Sequence, residues 1–302
     1  MIKTATIYRT APEWSADLAD IEQAIGKHQF VECGATQQKS AGWAPPREEN
    51  GALAESVDGQ VILKLLTEQR IVPGSVIKRR AEELAAEMEK NTGRKPGKKI
   101  MKELKEQALL ELLPMAFTKR TSTLVWIDRK ARLIVADASS QSRAEEVVTF
   151  LIKCLDGLAL TLVQTEMSPA AAMAHWLGTG EAPYQFTIDR ECELKSCDEM
   201  KSIVKYGRHP LDIDEVRAHI VAGKVPTKLA LTWRDRISLV LTDGMQLKKI
   251  SFLDVVFEGD NAGNQQADEF DANAAIFTGE MSELLPDLFE ALGGEQAMGM
   301  AP

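Results

Sequence analysis

A chain of 302 residues with 44% hydrophobic and 27% charged content is long enough for one extended fold or two sub-domains, and too apolar to stay unfolded. No apolar run approaches the ~18 residues of a membrane span, and Glu13, Asp17 and Asp20 interrupt what would be the apolar stretch of a signal peptide, so a cytoplasmic protein is expected. The formal charge of −9 argues at first sight against a nucleic-acid partner, but eleven acids and no Lys or Arg lie between Asp254 and Pro302, leaving +2 on everything before them.

In chain order, Lys3 to Arg9 alternates like a strand, and Ala16 to Gly26 places Leu18, Ile21 and Ile25 at helical spacing. Gly42-Trp43-Ala44-Pro45-Pro46 reads as a loop because its prolines fix φ and lack an N–H; a strand resumes over Gln60 to Leu66, and Pro73-Gly74 marks a turn. From Ser75 the chain is rich in Ala, Glu, Lys and Leu, with a break at Asn91 to Gly97, which predicts a helical hairpin or arm. Ile77, Leu84 and Met88 line one helix of it, and Ile100, Leu104, Ala108 and Leu112 the other. Between Lys78 and Glu106 stand ten basic residues against six acids, and the sequence GRKPGKK falls at the tip.

Ser122 to Ile127 and Arg132 to Ala136 read as strands joined by the turn Asp128-Arg129-Lys130, followed by a helix over Arg143 to Leu155. Ser168-Pro169 opens a helix to Leu177, and Asp212 to Val221 is another, ended by Gly223, with an irregular segment between them. Lys228 to Trp233, Ile237 to Leu241 and Leu247 to Phe252 form an antiparallel meander around the Asp243-Gly244 turn, and the last helix runs from Met281 to Leu292. Hairpin-linked strands with intervening helices predict an α+β fold of antiparallel sheets with flanking helices and a projecting charged helical arm. Its expected parts are residues 1–74 and 121–165 of a central region, the arm and tip at 75–120, a mixed base region at 166–224, and a meander with a C-terminal helix and acidic tail at 225–302.

The motifs of familiar chemistries are missing. Gly97-Lys98-Lys99 and Gly223-Lys224-Val225 lack the hydroxyl residue of a phosphate-binding loop, and Gly178-Thr179-Gly180 lacks the third glycine of a dinucleotide fingerprint. Cys192 and Cys197 have tolerable zinc spacing, but His209 and His219 are too far apart for a finger; all four cysteines, with Cys33 and Cys154, are expected as reduced thiols. His28 and His175 lack a metalloprotease context and are expected in helices. Asp212, Asp214 and Asp243 are the carboxylates a metal-dependent nuclease would use, although the first two precede a helix, where acids serve as caps. No catalytic residue, metal or cofactor is expected.

What remains is clustered positive charge. Besides Lys78, Arg79, Arg80, Arg94, Lys95, Lys98 and Lys99, basic residues occur at Lys119-Arg120, Lys205, Arg208, Lys224, Lys228 and Lys248-Lys249, at expected turns or element ends. Gathered on one surface they would track phosphates without reading bases.

The order of the motifs Gly-Trp-Ala-Pro-Pro at 42–46, Val-Pro-Gly-Ser-Val-Ile-Lys at 72–78, Leu-Leu-Pro-Met-Ala-Phe at 112–117, Trp-Ile-Asp at 126–128, Ala-Gly-Lys-Val-Pro-Thr-Lys-Leu-Ala-Leu-Thr-Trp at 222–233, and Thr-Gly-Glu through Ala-Leu-Gly-Gly-Glu at 278–295 resembles the bacterial RdgC family over nearly the whole chain. The resemblance implies a ring-shaped homodimer around duplex DNA, acting without catalysis or sequence preference and restraining a RecA-type recombinase. Expected partners are therefore duplex and single-stranded DNA and a second copy of the chain, in functional antagonism with the recombinase, at the nucleoid and away from membranes. A module that binds the recombinase directly is the alternative.

The same resemblance singles out Phe117, whose ring would pack across the dimer near Pro73, with a core phenylalanine as the other reading. Ser75 and Met115 stand where relatives can carry a second proline and a basic residue. Arg94, Lys95 and Arg208 match basic positions, and the acidic tail would stay outside the ring.

Overall fold

Two antiparallel sheets organise the chain. The computed structural model describes residues 2–47, 51–257 and 269–296. The elements run β1 (Thr6–Thr10), α1 (Leu18–Gly26), β2 (Lys39–Ala44), β3 (Ala54–Val57), β4 (Gln60–Ile71), α2 (Gly74–Thr92), α3 (Lys98–Leu112), β5 (Phe117–Asp128), β6 (Leu133–Ala136) and α4 (Gln141–Cys154). They continue as β7 (Leu160–Leu162), α5 (Pro169–Thr179), β8 (Phe186–Ser196), β9 (Ile203–Gly207), α6 (Asp214–Val221), β10 (Lys224–Trp233), β11 (Ile237–Thr242), β12 (Leu247–Phe252) and α7 (Glu269–Ala291). The first sheet has the order β2-β4-β5-β6-β1-β7, with β3 also on β4; the second has the order β12-β11-β10-β8-β9.

The period-two alternation of β5 shows how both faces of the first sheet are buried. Val125 and Ile127 point into one core with Ile21 and Ile25 of α1 and Val147 and Leu151 of α4. Trp126 points the other way, into a larger core shared with Leu229, Leu231 and Trp233 of β10 and with Phe277, Met281 and Leu285 of α7. Two buried indoles of this core keep a partner for the N–H: Trp126 donates to Gln60 Oε1 at 2.8 Å and Trp233 to Asp287 Oδ2 at 2.8 Å. Ala5 joins the sheets, exchanging backbone hydrogen bonds of 2.8 and 2.9 Å with Leu247.

Several expectations are corrected. Gly42, Trp43 and Ala44 belong to β2 and not to a loop. The glycine is there for close approach: a Cβ would lie 2.5 Å from Phe30 N and 2.6 Å from Gln29 O, because the preceding segment runs along this strand. The segment expected to be irregular before α6 contains β8 and β9. A register irregularity lies within β8, where the four steps from Ile188 to Cys192 face only two on β10, from Leu231 to Leu229. His28 lies just beyond α1 and not within it.

The last helix starts at Glu269, a dozen residues before the expected Met281. Nor is the described part of the acidic segment an outlying tail. Its apolar side is core, while its carboxylates hold arginines: Asp271 binds Arg47 at 2.6 Å, Glu283 and Asp287 bind Arg234 at 2.7 and 2.8 Å, and Glu280 pairs with Arg236. Glu295 likewise pairs with Arg9. Residues 258–268 and 297–302 lie outside the described residues.

Candidate nucleic-acid interface

The helical hairpin forms because α2 and α3 share a small core of their own, with Ala81, Leu104 and Ala108 buried and Ile77, Leu84, Met88 and Met101 packed on them. Met101 takes the inward place expected for Ile100, which is exposed. Gly93 ends α2 in the left-handed region at φ 68°, its N–H on Glu89 O at 2.8 Å, and turns the chain into the connecting loop. Carboxylates divide the cations of this hairpin into two sets. Arg80 binds Glu83 at 3.1 Å and Glu111 at 2.9 Å, and Lys78 faces Glu82 at 3.8 Å. Arg79, Arg94, Lys95, Lys98 and Lys99 are exposed, with no carboxylate in ion-pair range among the described residues. Four of these five stand together at the turn.

Lys119 and Arg120 lie inside β5 and not at an element end. Arg120 is committed to structure: it binds Glu68 at 2.8 Å, pairs with Glu32 and lies 5.5 Å from the centre of the Phe30 ring. The Arg120 hydrogen bond, joined by the Cys33 N–H at 2.7 Å, holds the Glu68 carboxyl below its usual range. Lys119, on the opposite face of the strand, is exposed and unpaired among the described residues. At the start of β5, Phe117 is 89% exposed and pairs across the sheet with Ile71, itself exposed. Met115 and Pro73 are exposed beside them in sequence. The core alternative for Phe117 is thereby ruled out within the protomer.

Arg70 braces this corner. Its guanidinium donates to Leu113 O at 3.3 Å, Ala116 O at 3.2 Å, Gly34 O at 3.1 Å and Cys33 O at 3.3 Å, fixing the segment that presents Phe117. No sequence signal marks a residue whose role is to satisfy four carbonyls of distant loops.

The second sheet has its apolar side against α5, α6 and α7, and its other side carries polar rows. Lys205, Glu193 and Lys228 are register partners on β9, β8 and β10, and Glu193 binds both lysines, at 3.1 and 3.0 Å. Burial alone would raise the Glu193 carboxyl, but hydrogen bonds from Lys228, Lys205 and Thr227 outweigh it and bring the pKa to about 2. Lys249 reaches Glu191 at 2.6 Å on the same face. Arg208, at φ 56°, follows β9 without a carboxylate partner among the described residues. Lys224 and Lys248 are tied elsewhere, to His219 Nδ1 at 3.0 Å and to Ser139 O at 3.2 Å. The counter-charges Glu191 and Glu193 could not be assigned to these lysines from chain spacing, because strand register brings them together.

The candidate catalytic groups are placed otherwise. Asp212 and Asp214 both bind Arg217, and among the described residues no group of three or more His, Cys, Asp or Glu is disposed to hold a metal ion. Cys33, Cys154 and Cys192 are buried free thiols; Cys197 is exposed and free. No helix among the described residues is long and apolar enough to cross a membrane.

A family model described as "Putative exonuclease, RdgC" matches residues 1–295. The chain belongs to the RdgC family. It is 47% identical to the recombination-associated protein RdgC of Dechloromonas aromatica, over 97% of each chain. It is 44% identical to that of Cupriavidus necator and 40% identical to that of Bordetella pertussis, in both cases over 97% of this chain and 98% of the relative. The family description speaks of an exonuclease and the relatives' names of recombination, whereas the cations set out above are a property of this RdgC chain itself.

Proposed function

We propose that this protein binds DNA without sequence preference and without cutting it, encircling the duplex as a two-fold ring and restraining a RecA-type recombinase by competing for the same DNA. The observation that carries this reading is the division of the cations. Arg79, Arg94, Lys95, Lys98, Lys99, Lys119 and Arg208 are exposed and unneutralised in a chain of net charge −9. Unpaired cations without a base-reading element are suited to phosphates and carry no sequence information. The lysines on the open sheet face would join once phosphates displace Glu191 and Glu193. The hairpin is then a projecting arm, and the exposed Phe117, Met115, Ile71 and Pro73 are the apolar contact by which two arms close the ring.

The test is duplex binding across a salt series, together with the mass and low-resolution shape of the free species. Log affinity should fall with log salt by about 0.9 for each phosphate contacted, equally on unrelated sequences. A salt-insensitive isotherm, or a compact monomer, overturns the reading. So does degradation of labelled DNA with magnesium or manganese, which would instead support an exonuclease. Recombinase inhibition that persists at saturating DNA would assign the effect to direct protein contact.

A further inference from the structure

The turn between β5 and β6 carries three cations, Arg129, Lys130 and Arg132, for which neither strand register nor the open sheet face has a use. All three are exposed and have no ion-pair partner among the described residues. They line a cavity of about 390 Å³ together with Thr10, Trp14 and Asp17, a volume in the range of small-molecule sites. Two donors on residues that line it lack partners within the protein. Thr10 is 1% exposed and its Oγ1 is buried with no hydrogen bond, and the Trp14 indole N–H is likewise buried and unsatisfied. Unmet buried polar groups are rare in folded proteins and call for a ligand or water. Asp17, the one acid of the six, is already engaged: its carboxylate accepts from Asp20 N at 2.8 Å as the cap of α1.

The chemistry of the wall selects its ligand. Three cations against one carboxylate leave positive charge and supply hydrogen-bond donors, and the Trp14 indole adds an apolar surface. A phosphate monoester carries about −1.5 to −2 at neutral pH and several strong acceptor oxygens, and so matches both the charge and the donors. The cavity lies at the end of β5 opposite Phe117, eleven residues and hence about 36 Å along the strand. It is too small to admit a duplex and stands apart from the arm.

We infer that this cavity binds a phosphate monoester, with Arg129, Lys130 and Arg132 on the phosphate. Two sources offer that chemistry, a free mononucleotide and the phosphorylated end of a DNA strand. Calorimetric titration of the full chain with adenosine monophosphate, against adenosine as control, reads the site directly. Saturable binding of the monophosphate and none of adenosine is expected. Arg129→Gln/Lys130→Gln should weaken it by about tenfold or more.

Equal binding of adenosine, indifference to Arg129→Gln/Lys130→Gln, or no binding of the monophosphate to the parent chain overturns the inference. A 5′-phosphorylated oligonucleotide that outcompetes its 5′-hydroxyl twin only in the parent chain identifies the strand end as the source; equal competition by the two identifies the free nucleotide. Duplex affinity of Arg129→Gln/Lys130→Gln is measured in parallel, so that failure here is separable from failure of the ring reading.

Discussion

Phe117→Ala tests the closing contact, because the protomer does not need this side chain. At 89% exposure the ring contributes almost nothing to the protomer's own core, so the variant should keep the parent's circular dichroism spectrum. If two arms meet through Phe117, each ring loses about 1.5–3 kcal/mol of burial in the closed state. Two-fold symmetry counts the loss twice, giving roughly 3–6 kcal/mol, or about a 10²- to 10⁴-fold rise in the open population.

The assay is retention on relaxed circular duplex under a salt challenge, compared with the same sequence made linear. The parent protein should persist on circles and slide off linear ends, whereas Phe117→Ala should leave circles about a hundredfold faster or more and linear DNA at the parent rate. An unchanged lifetime on circles would refute the contact assignment. A changed circular dichroism spectrum would refute the premise that Phe117 lies outside the protomer's core.

The remaining predictions concern charge and packing. Replacing Arg94, Lys95, Lys98 and Lys99 with Gln should lower the salt slope of duplex binding by about 3 to 4 for each protomer that touches DNA, with no loss of stability; an unchanged slope in a salt titration would remove the arm tip from the interface. Glu193→Gln frees Lys205 and Lys228, so duplex affinity and salt slope should both rise, and weaker binding would show that this sheet face does not meet DNA.

The Glu193 carboxyl is held at about 2 against an ordinary 4.5, so its stabilisation is full above pH ~4.5 and is lost as pH falls toward 2. Solvent around the lysines reduces its worth to about 1–2 kcal/mol, and urea titrations at pH 7 and pH 3 should show the variant's deficit shrinking at the lower pH. Gly42→Ala should cost about 2–4 kcal/mol in the same titration, since its Cβ would overlap the backbone of Phe30; a deficit under about 0.5 kcal/mol would mean that the two segments separate easily.

Local signals alone placed much of the framework. The helix-forming runs on either side of Gly93 to Gly97, the cap Ser168, the Asp243-Gly244 turn and the alternation of β5 and β11 act over three or four residues, so they are legible without tertiary knowledge. The excess of positive charge over the hairpin and the order of family motifs are equally properties of the chain.

Which cations are free is not such a property. Glu193 meets Lys228 across 35 positions of sequence and Arg120 meets Glu68 across 52, through strand register. Tertiary packing likewise made Gly42 a strand residue and turned an acidic stretch into a core helix whose carboxylates hold arginines. The physical reason is common to these cases: ion pairing and burial depend on distance in space, and a linear count of charges carries no such distances.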